Sequence, residues 1–250
     1  MYRIFVLLAV LVAGCNTKVS FQYSRSFVEG SLQTPCGGKE GTSSSGRPTL
    51  KEIGIEDVET YGGSVYLNKG RHTGFFKGTM GRASGECFLG DSLISQNKSF
   101  LEGEKLFSDL AFDTLAFGYL YDIREGKVRL SPGADLSVLM FHYKLSDGVG
   151  LVDRSYSKAS VRVGGVAGIE LGDFTLELEG FYSFPLDNSP EINEINLSLI
   201  YPVVQGDDFT LEASAGVGLR EIKYEDNQDF PNKIEIDQCP IIVLGLRLGF

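Results

Sequence analysis

Residues 127–141 read KVRLSPGADLSVLMF. Val128, Leu130, Ala134, Leu136, Val138 and Met140 share one parity, and Lys127, Arg129, Ser131, Gly133, Asp135 and Ser137 share the other. Successive Cβ atoms of a strand point to opposite faces, so an apolar residue at every second position gives a strand with one greasy and one polar side. The repeat recurs on both sides of this stretch. In 158–171, Ala159, Val161, Val163, Ala167, Ile169 and Leu171 oppose Lys158, Ser160, Arg162, Gly164, Gly168 and Glu170. After Gly172-Asp173 the pattern restarts, with Phe174, Leu176, Leu178, Tyr182 and Phe184 against Thr175, Glu177, Glu179 and Ser183. Three more strands follow, over 194–203, 209–220 and 242–250.

The first hundred residues are less regular. Val19, Phe21 and Tyr23 alternate with Ser20, Gln22 and Ser24, and 60–68 and 71–80 flank a tight turn at Lys69-Gly70. Residues 27–57, with the low-complexity run GKEGTSSSGRP, and residues 83–104 are expected to be long loops. In 107–122, Leu115, Phe117, Tyr119 and Tyr121 share a parity with Asp109 and Asp113, which suggests a bulge that switches the faces.

Composition narrows the classes. The 250 residues are 42% hydrophobic and 22% charged, which excludes disorder throughout. The 31 glycines show no G-X-Y period, so the chain is not collagen-like. A net charge of −10 offers no broad field for a phosphate backbone, so nucleic acid is not an expected partner.

The N-terminus reads as an export signal. Arg3 precedes the apolar run Ile4 to Val12, too short to span a bilayer, and Val12-Ala13-Gly14-Cys15 follows. That order resembles the lipobox of bacterial lipoproteins, which implies cleavage after Gly14, acylation of Cys15 and an anchor over 15–18. Asn16 in the next position implies sorting to the outer membrane by the same resemblance. The alternative is an ordinary secretory signal followed by a chance cysteine. Of the remaining cysteines, Cys36 and Cys87 lie in Gly-rich stretches and are expected to pair, leaving Cys239. There is no CxxC and no His near any Cys, so neither a metal nor a cofactor is expected.

Loop lengths order the strands. Links near 69–70, 123–126, 172–173 and 205–208 are short; those at 27–57, 83–104, 145–154, 187–190 and 225–232 are mostly longer and polar. The two kinds alternate, as in membrane barrels with short periplasmic turns and long external loops. The count is ten strands, eight being the alternative, with both termini on the periplasmic side. The ending LGLRLGF, with Leu244, Leu246, Leu248 and Phe250, resembles the C-terminal signature of bacterial outer-membrane β-barrel proteins. The resemblance covers 19–250 in pattern. It implies one closed antiparallel up-and-down transmembrane β-barrel, contact with outer-membrane lipids, and delivery to the barrel-assembly machinery through the Phe250 segment. An aromatic girdle would draw on Tyr182, Phe184, Tyr201 and Phe250.

In that orientation Arg129, Asp135, Lys158, Arg162, Glu170, Glu177, Glu179, Glu194, Glu212, Arg220 and Arg247 point into the lumen. A ten-stranded barrel is narrow enough for side chains to fill, and facing acids and bases would pair. The expected role is non-enzymatic: envelope structure, surface interaction or limited passage of small solutes. Two rivals remain open. One is an outer-membrane hydrolase of lipid or peptide using His142, although Lys144 stands where a His-x-Ser deacylase pattern needs serine, and no Asp-x-His pair occurs. The other is a tethered periplasmic barrel, similar to a lipocalin, with its apolar face turned inward around a ligand.

Overall fold

The computed structural model describes residues 16–33, 48–95, 98–184, 186–226 and 232–250. The expected signal 1–14, Cys15 and Cys36 lie outside them. Among the described residues there are thirteen strands: β1 (Asn16–Gln33), β2 (Asp57–Lys69), β3 (His72–Phe88), β4 (Leu93–Ser95), β5 (Lys98–Phe100), β6 (Lys105–Tyr121), β7 (Ile123–Glu125), β8 (Val128–Ser146), β9 (Leu151–Leu171), β10 (Phe174–Ser183), β11 (Glu191–Gln205), β12 (Thr210–Glu225) and β13 (Lys233–Gly249). Ten of them are long and pair antiparallel in the order β6-β3-β2-β1-β13-β12-β11-β10-β9-β8, and β6 pairs with β8 to close the ring. The chain is therefore a closed ten-stranded antiparallel barrel. β7 extends β8 at one mouth, and β4 and β5 form a small hairpin of their own.

Three expected loops are shorter than the sequence pattern suggests. β1 runs on to Gln33, so strand occupies the first part of the 27–57 stretch. β3 continues to Phe88 within the 83–104 stretch, and β4 and β5 occupy part of the remainder. β8 and β9 run to Ser146 and from Leu151, leaving a four-residue link in place of 145–154. No bulge interrupts β6, whose pairing with β3 is continuous from Lys105 to Tyr121.

One physical cause explains all four differences: the medium outside the barrel changes along each strand. Near the short turns the apolar residues face out. Leu136, Val163 and Leu246 are 47%, 50% and 53% exposed, whereas Arg162 is 3% exposed. On β8 this outward band runs from Val128 to Val138, about eleven residues, or roughly 25 Å at ~3.3 Å per residue and a tilt near 40°. That is the height of the lipid-facing band of a membrane barrel. Beyond it the sense inverts while the geometry does not. Leu139, Phe141, Tyr143 and Leu145 keep the inward parity and are fully buried, and His142 and Lys144 keep the outward one. On β6, Leu106, Leu110 and Phe112 go in, and Asp109 and Asp113 stand outside. The barrel thus has a lower storey with polar contents and an upper storey with an apolar core. The eight upper residues of β8 add about 20 Å above the band.

The register shift needed to keep both storeys aligned is on β13. Its pairing skips between Gln238 and Ile241 against both β1 and β12, so inward positions pass from even (Ile234, Ile236, Gln238) to odd (Ile241, Gly245, Arg247). Aromatic residues ring the lower rim, where Phe174 and Tyr201 meet with tilted rings 5.0 Å apart and Phe209 and Phe250 are exposed. At the upper edge Tyr61 and Tyr23 donate their hydroxyls to Glu59 at 3.1 and 3.4 Å, with rings in the band and polar tips above it.

Two outward positions on β9 test the storeys. Val163→Arg, in the band, is expected to cost about 2–4 kcal/mol when unfolding is measured in lipid vesicles. Ser155→Arg, on the same face above the band, should stay within about 0.5 kcal/mol. Equal costs would contradict the change of medium.

Candidate functional site

The lower lumen is lined by short polar side chains and by a charge network carried on seven strands. Inward parity places Lys77 on β3, Arg129 and Asp135 on β8, Arg162 on β9, Glu177 and Glu179 on β10, Glu194 on β11, Arg220 on β12 and Arg247 on β13. They form three groups. Arg162 grips Asp135 with two hydrogen bonds of 2.9 and 2.7 Å and lies 3.4 Å from Glu194, which also accepts from Arg220 at 3.1 Å. Glu177 accepts from Arg129 at 2.5 Å and from Arg247 at 2.7 Å. Lys77 is bonded to Glu179. The forked Arg162–Asp135 geometry makes it the most directional of these contacts.

An aromatic floor holds the network in place. Phe75 and Phe181 meet edge to face at 5.8 Å, and Phe181 is fully buried. The Arg162 guanidinium lies 5.4 Å over the Phe181 ring, and Lys77 lies 5.2 Å over Phe75. Gly118 makes room for Phe75: a Cβ there would sit 2.2 Å from the ring. Between these groups and the far wall only about 70 Å³ remains open.

The other expected lumen residues lie apart from this network. Lys158 points inward in the upper storey, 5.4 Å over the Tyr224 ring. Glu212 faces Lys18 at 3.7 Å near the lower mouth, and Glu170 lines the mouth itself. Lys77 was not foreseen. Its signal was available, because it shares parity with Thr73, Phe75 and Thr79 against Phe76 and Met80, but the adjacent Phe75 and Phe76 put an aromatic on each face and hid the polar one. The Cys87 thiol, expected opposite Cys36, donates to the Glu52 carbonyl at 3.2 Å.

Above the network the lumen is filled with apolar side chains. Leu50, Ile53 and Ile55, from the segment before β2, fold inside the barrel and are buried against Leu139, Phe141, Ile192 and Ile222. Their segment is tied to the wall: Leu50 N–H donates to Gly30 at 3.0 Å, Val28 N–H donates to Glu56 at 3.0 Å, and the Ser108 hydroxyl donates to Ile53. Thr49 and Glu52 cap each other reciprocally, Thr49 N–H to the Glu52 carboxylate at 2.7 Å and Glu52 N–H to the Thr49 hydroxyl at 3.2 Å. Among the described residues no group of His, Cys, Asp and Glu is arranged to hold a metal.

His142 sits on the outer wall of the upper storey. Its Nε2 is 2.7 Å from Asp153, whose carboxyl is held below the usual carboxylate range, first by that hydrogen bond. Lys144 lies 3.6 Å from the same carboxylate.

No family model and no curated protein matches this chain. Solved structures similar to it include the outer membrane protease OmpT of Escherichia coli (TM-score 0.41, 10% identity, 93% of this chain and 97% of that one). Others are Ail, the attachment invasion locus protein of Yersinia pestis (0.37, 13%, 94% and 99%), and the transport unit of the Escherichia coli autotransporter AIDA-I (0.42, 10%, 94% and 90%). The barrel assignment rests on the closed ladder itself.

Glu194→Gln leaves Arg162 and Arg220 short of their shared carboxylate inside the barrel. It is expected to destabilise by about 3–5 kcal/mol in guanidinium unfolding. Glu212→Gln, at the wetter mouth, should cost no more than about 1 kcal/mol.

Proposed function

We propose that this protein is a lipid-anchored barrel of the bacterial outer membrane, closed to solutes, that carries a folded storey above the external leaflet and serves envelope structure or surface interaction. The observation that carries this reading is the packed upper lumen. Leu50, Ile53 and Ile55 fill it, and the ion-pair groups close the space beneath. A solute crossing would have to strip both, and passage is the less supported of the roles the fold allows. The outward apolar band supports the membrane setting and counts against a tethered barrel with a greasy interior, because Leu136, Val163 and Leu246 have no internal ligand to face. The short-turn end, with Asn16 and Phe250, would then face the periplasm. Cys15 would be the acylated residue, and the strand ending in Leu244, Leu246, Leu248 and Phe250 would engage the assembly machinery.

The hydrolase reading has one contact in its favour. Asp153 holds His142, and Ser155 lies directly opposite His142 in the β8–β9 register. Two observations weigh against it: among the described residues no hydrogen bond is recorded between Ser155 and the imidazole, and the backbone N–H groups of both strands here face the ladder rather than an oxyanion. Ser155→Ala is therefore expected to change no esterase or peptidase rate.

Purified protein in planar lipid bilayers is expected to show no stepwise conductance. Stable, reproducible open levels would defeat the closed-lumen reading. The anchor is tested separately: cells fed labelled fatty acid should label the wild-type chain and not Cys15→Ser, and equal labelling would remove the anchor while leaving the barrel.

A further inference from the structure

The lower mouth opens into a vestibule of about 650 Å³, within the ~300–1,000 Å³ range of small-molecule sites. Its charge runs against that of the chain. Arg124 on β7 and Arg129 on β8 are directly opposed in the register and share the inward face. Like charges so placed are unfavourable unless something lies between them. Arg129 has only a half share in Glu177, which Arg247 also claims. Arg124 has no carboxylate within ion-pair distance among the described residues, and neither do Arg71 and Lys127, which line the same space. Asp122, two residues before Arg124, accepts the Ser131 hydroxyl at 2.5 Å instead, with the Thr73 hydroxyl 3.4 Å away. Glu170 is the remaining carboxylate of the lining without an ion pair. Counting Lys77, which holds Glu179, seven cations meet five carboxylates here, in a chain of net charge −10.

We propose that this vestibule binds a phosphate-bearing small anion, held by Arg124 and Arg71 with Lys127 at the rim. A concave site with low-dielectric walls concentrates the field of such a surplus. Guanidinium forks match phosphate oxygens in pairs, and a group with two charges and three acceptor oxygens can satisfy more than one of these cations. A single carboxylate would leave most of them without a partner. The phosphate belongs either to a free phosphate or phosphoester or to a phospholipid headgroup of the adjacent leaflet. The site stands whether or not the barrel conducts, and whichever compartment it faces.

The test is calorimetric titration of the full chain in non-ionic detergent at low ionic strength, with inorganic pyrophosphate, a short-chain phosphatidylglycerol and succinate as separate probes. Saturable binding of at least one phosphate probe is expected. The double variant R71Q/R124Q should weaken it by about tenfold or more, and Lys223→Gln, in the upper storey, should leave it unchanged. Heat-modifiable migration on gels checks that each variant is folded. Binding of pyrophosphate identifies a free-phosphate site, and binding of phosphatidylglycerol without pyrophosphate identifies a headgroup site. Should the double variant fail to fold, the wild type decides: raising the salt severalfold is expected to weaken binding by about tenfold. No binding of either phosphate probe, binding indifferent to the variant or to salt, or succinate bound as tightly as pyrophosphate would overturn the proposal.

Discussion

A backbone that crosses hydrocarbon must satisfy every N–H and C=O within itself. The β6–β8 and β1–β13 pairings meet that requirement by leaving no edge in the ten-stranded ring. Closure then fixes the other choices. Once the ladder is a cylinder, each residue has only two addresses, and the parity of a strand cannot change without a bulge. Eight long strands keep their parity from end to end; β11 shifts only near its end, between Pro202 and Val204, and β13 alone among the described strands shifts against both of its neighbours. The chain responds to a change of solvent halfway up by changing the residues it places at each address, rather than by changing the addresses.

That device explains what the sequence made legible and what it hid. Where lipid is outside, as in Val128 to Val138 or Phe174 to Leu178, alternation of greasy and polar residues is clean, and strands, faces and short turns can be read from it. Where water is outside, the inward residues become apolar and the outward ones mixed, so the pattern loses its phase. FVEGSLQ at 27–33 and Cys87-Phe88 look irregular because Val28, Leu32 and Cys87 face an apolar core while Glu29 and Phe88 face out. The suspected bulge in 107–122 was this inversion: Asp113 and Leu115 are on the same outward face, one above the band and one within it. Ion-pair partners were not legible at all, since contacts such as Arg247 to Glu177 join residues 70 positions apart in the chain through the barrel interior. The inward set could be read, but its pairing depends on tilt and stagger that one sequence does not display.

The two fillings of the lumen differ in what they specify. The upper core is apolar and dense, and its stability comes from area removed from water, the term that least constrains which residues meet. The lower network is directional. Arg162 reaches Asp135 with both arms and is covered by Phe181, so β8, β9 and β10 have one arrangement in which all three are satisfied. Buried ion pairs contribute little net stability, yet losing one partner costs several kcal/mol, so they penalise misregistered ladders more than they reward the right one. In a barrel whose outward band is uniformly greasy, and therefore gives little information about strand order, an asymmetric set of internal charges is a plain way to distinguish the native register from its neighbours.

The same accounting separates the vestibule from the network above it. Deep in the lumen each carboxylate is matched by one or two cations and the pairs are buried, so the charges are settled by one another. At the mouth the match fails in one direction: Asp122 is taken up by hydroxyls and Arg124 faces Arg129. Surface cations on a water-filled rim need no partner, since solvent serves them. Arg124 differs because its cross-strand neighbour on the same wall of a concave space is another arginine. A chain that balances its interior charges so closely and then leaves an excess of one sign where the lumen opens has placed that excess where only something from outside the barrel can neutralise it.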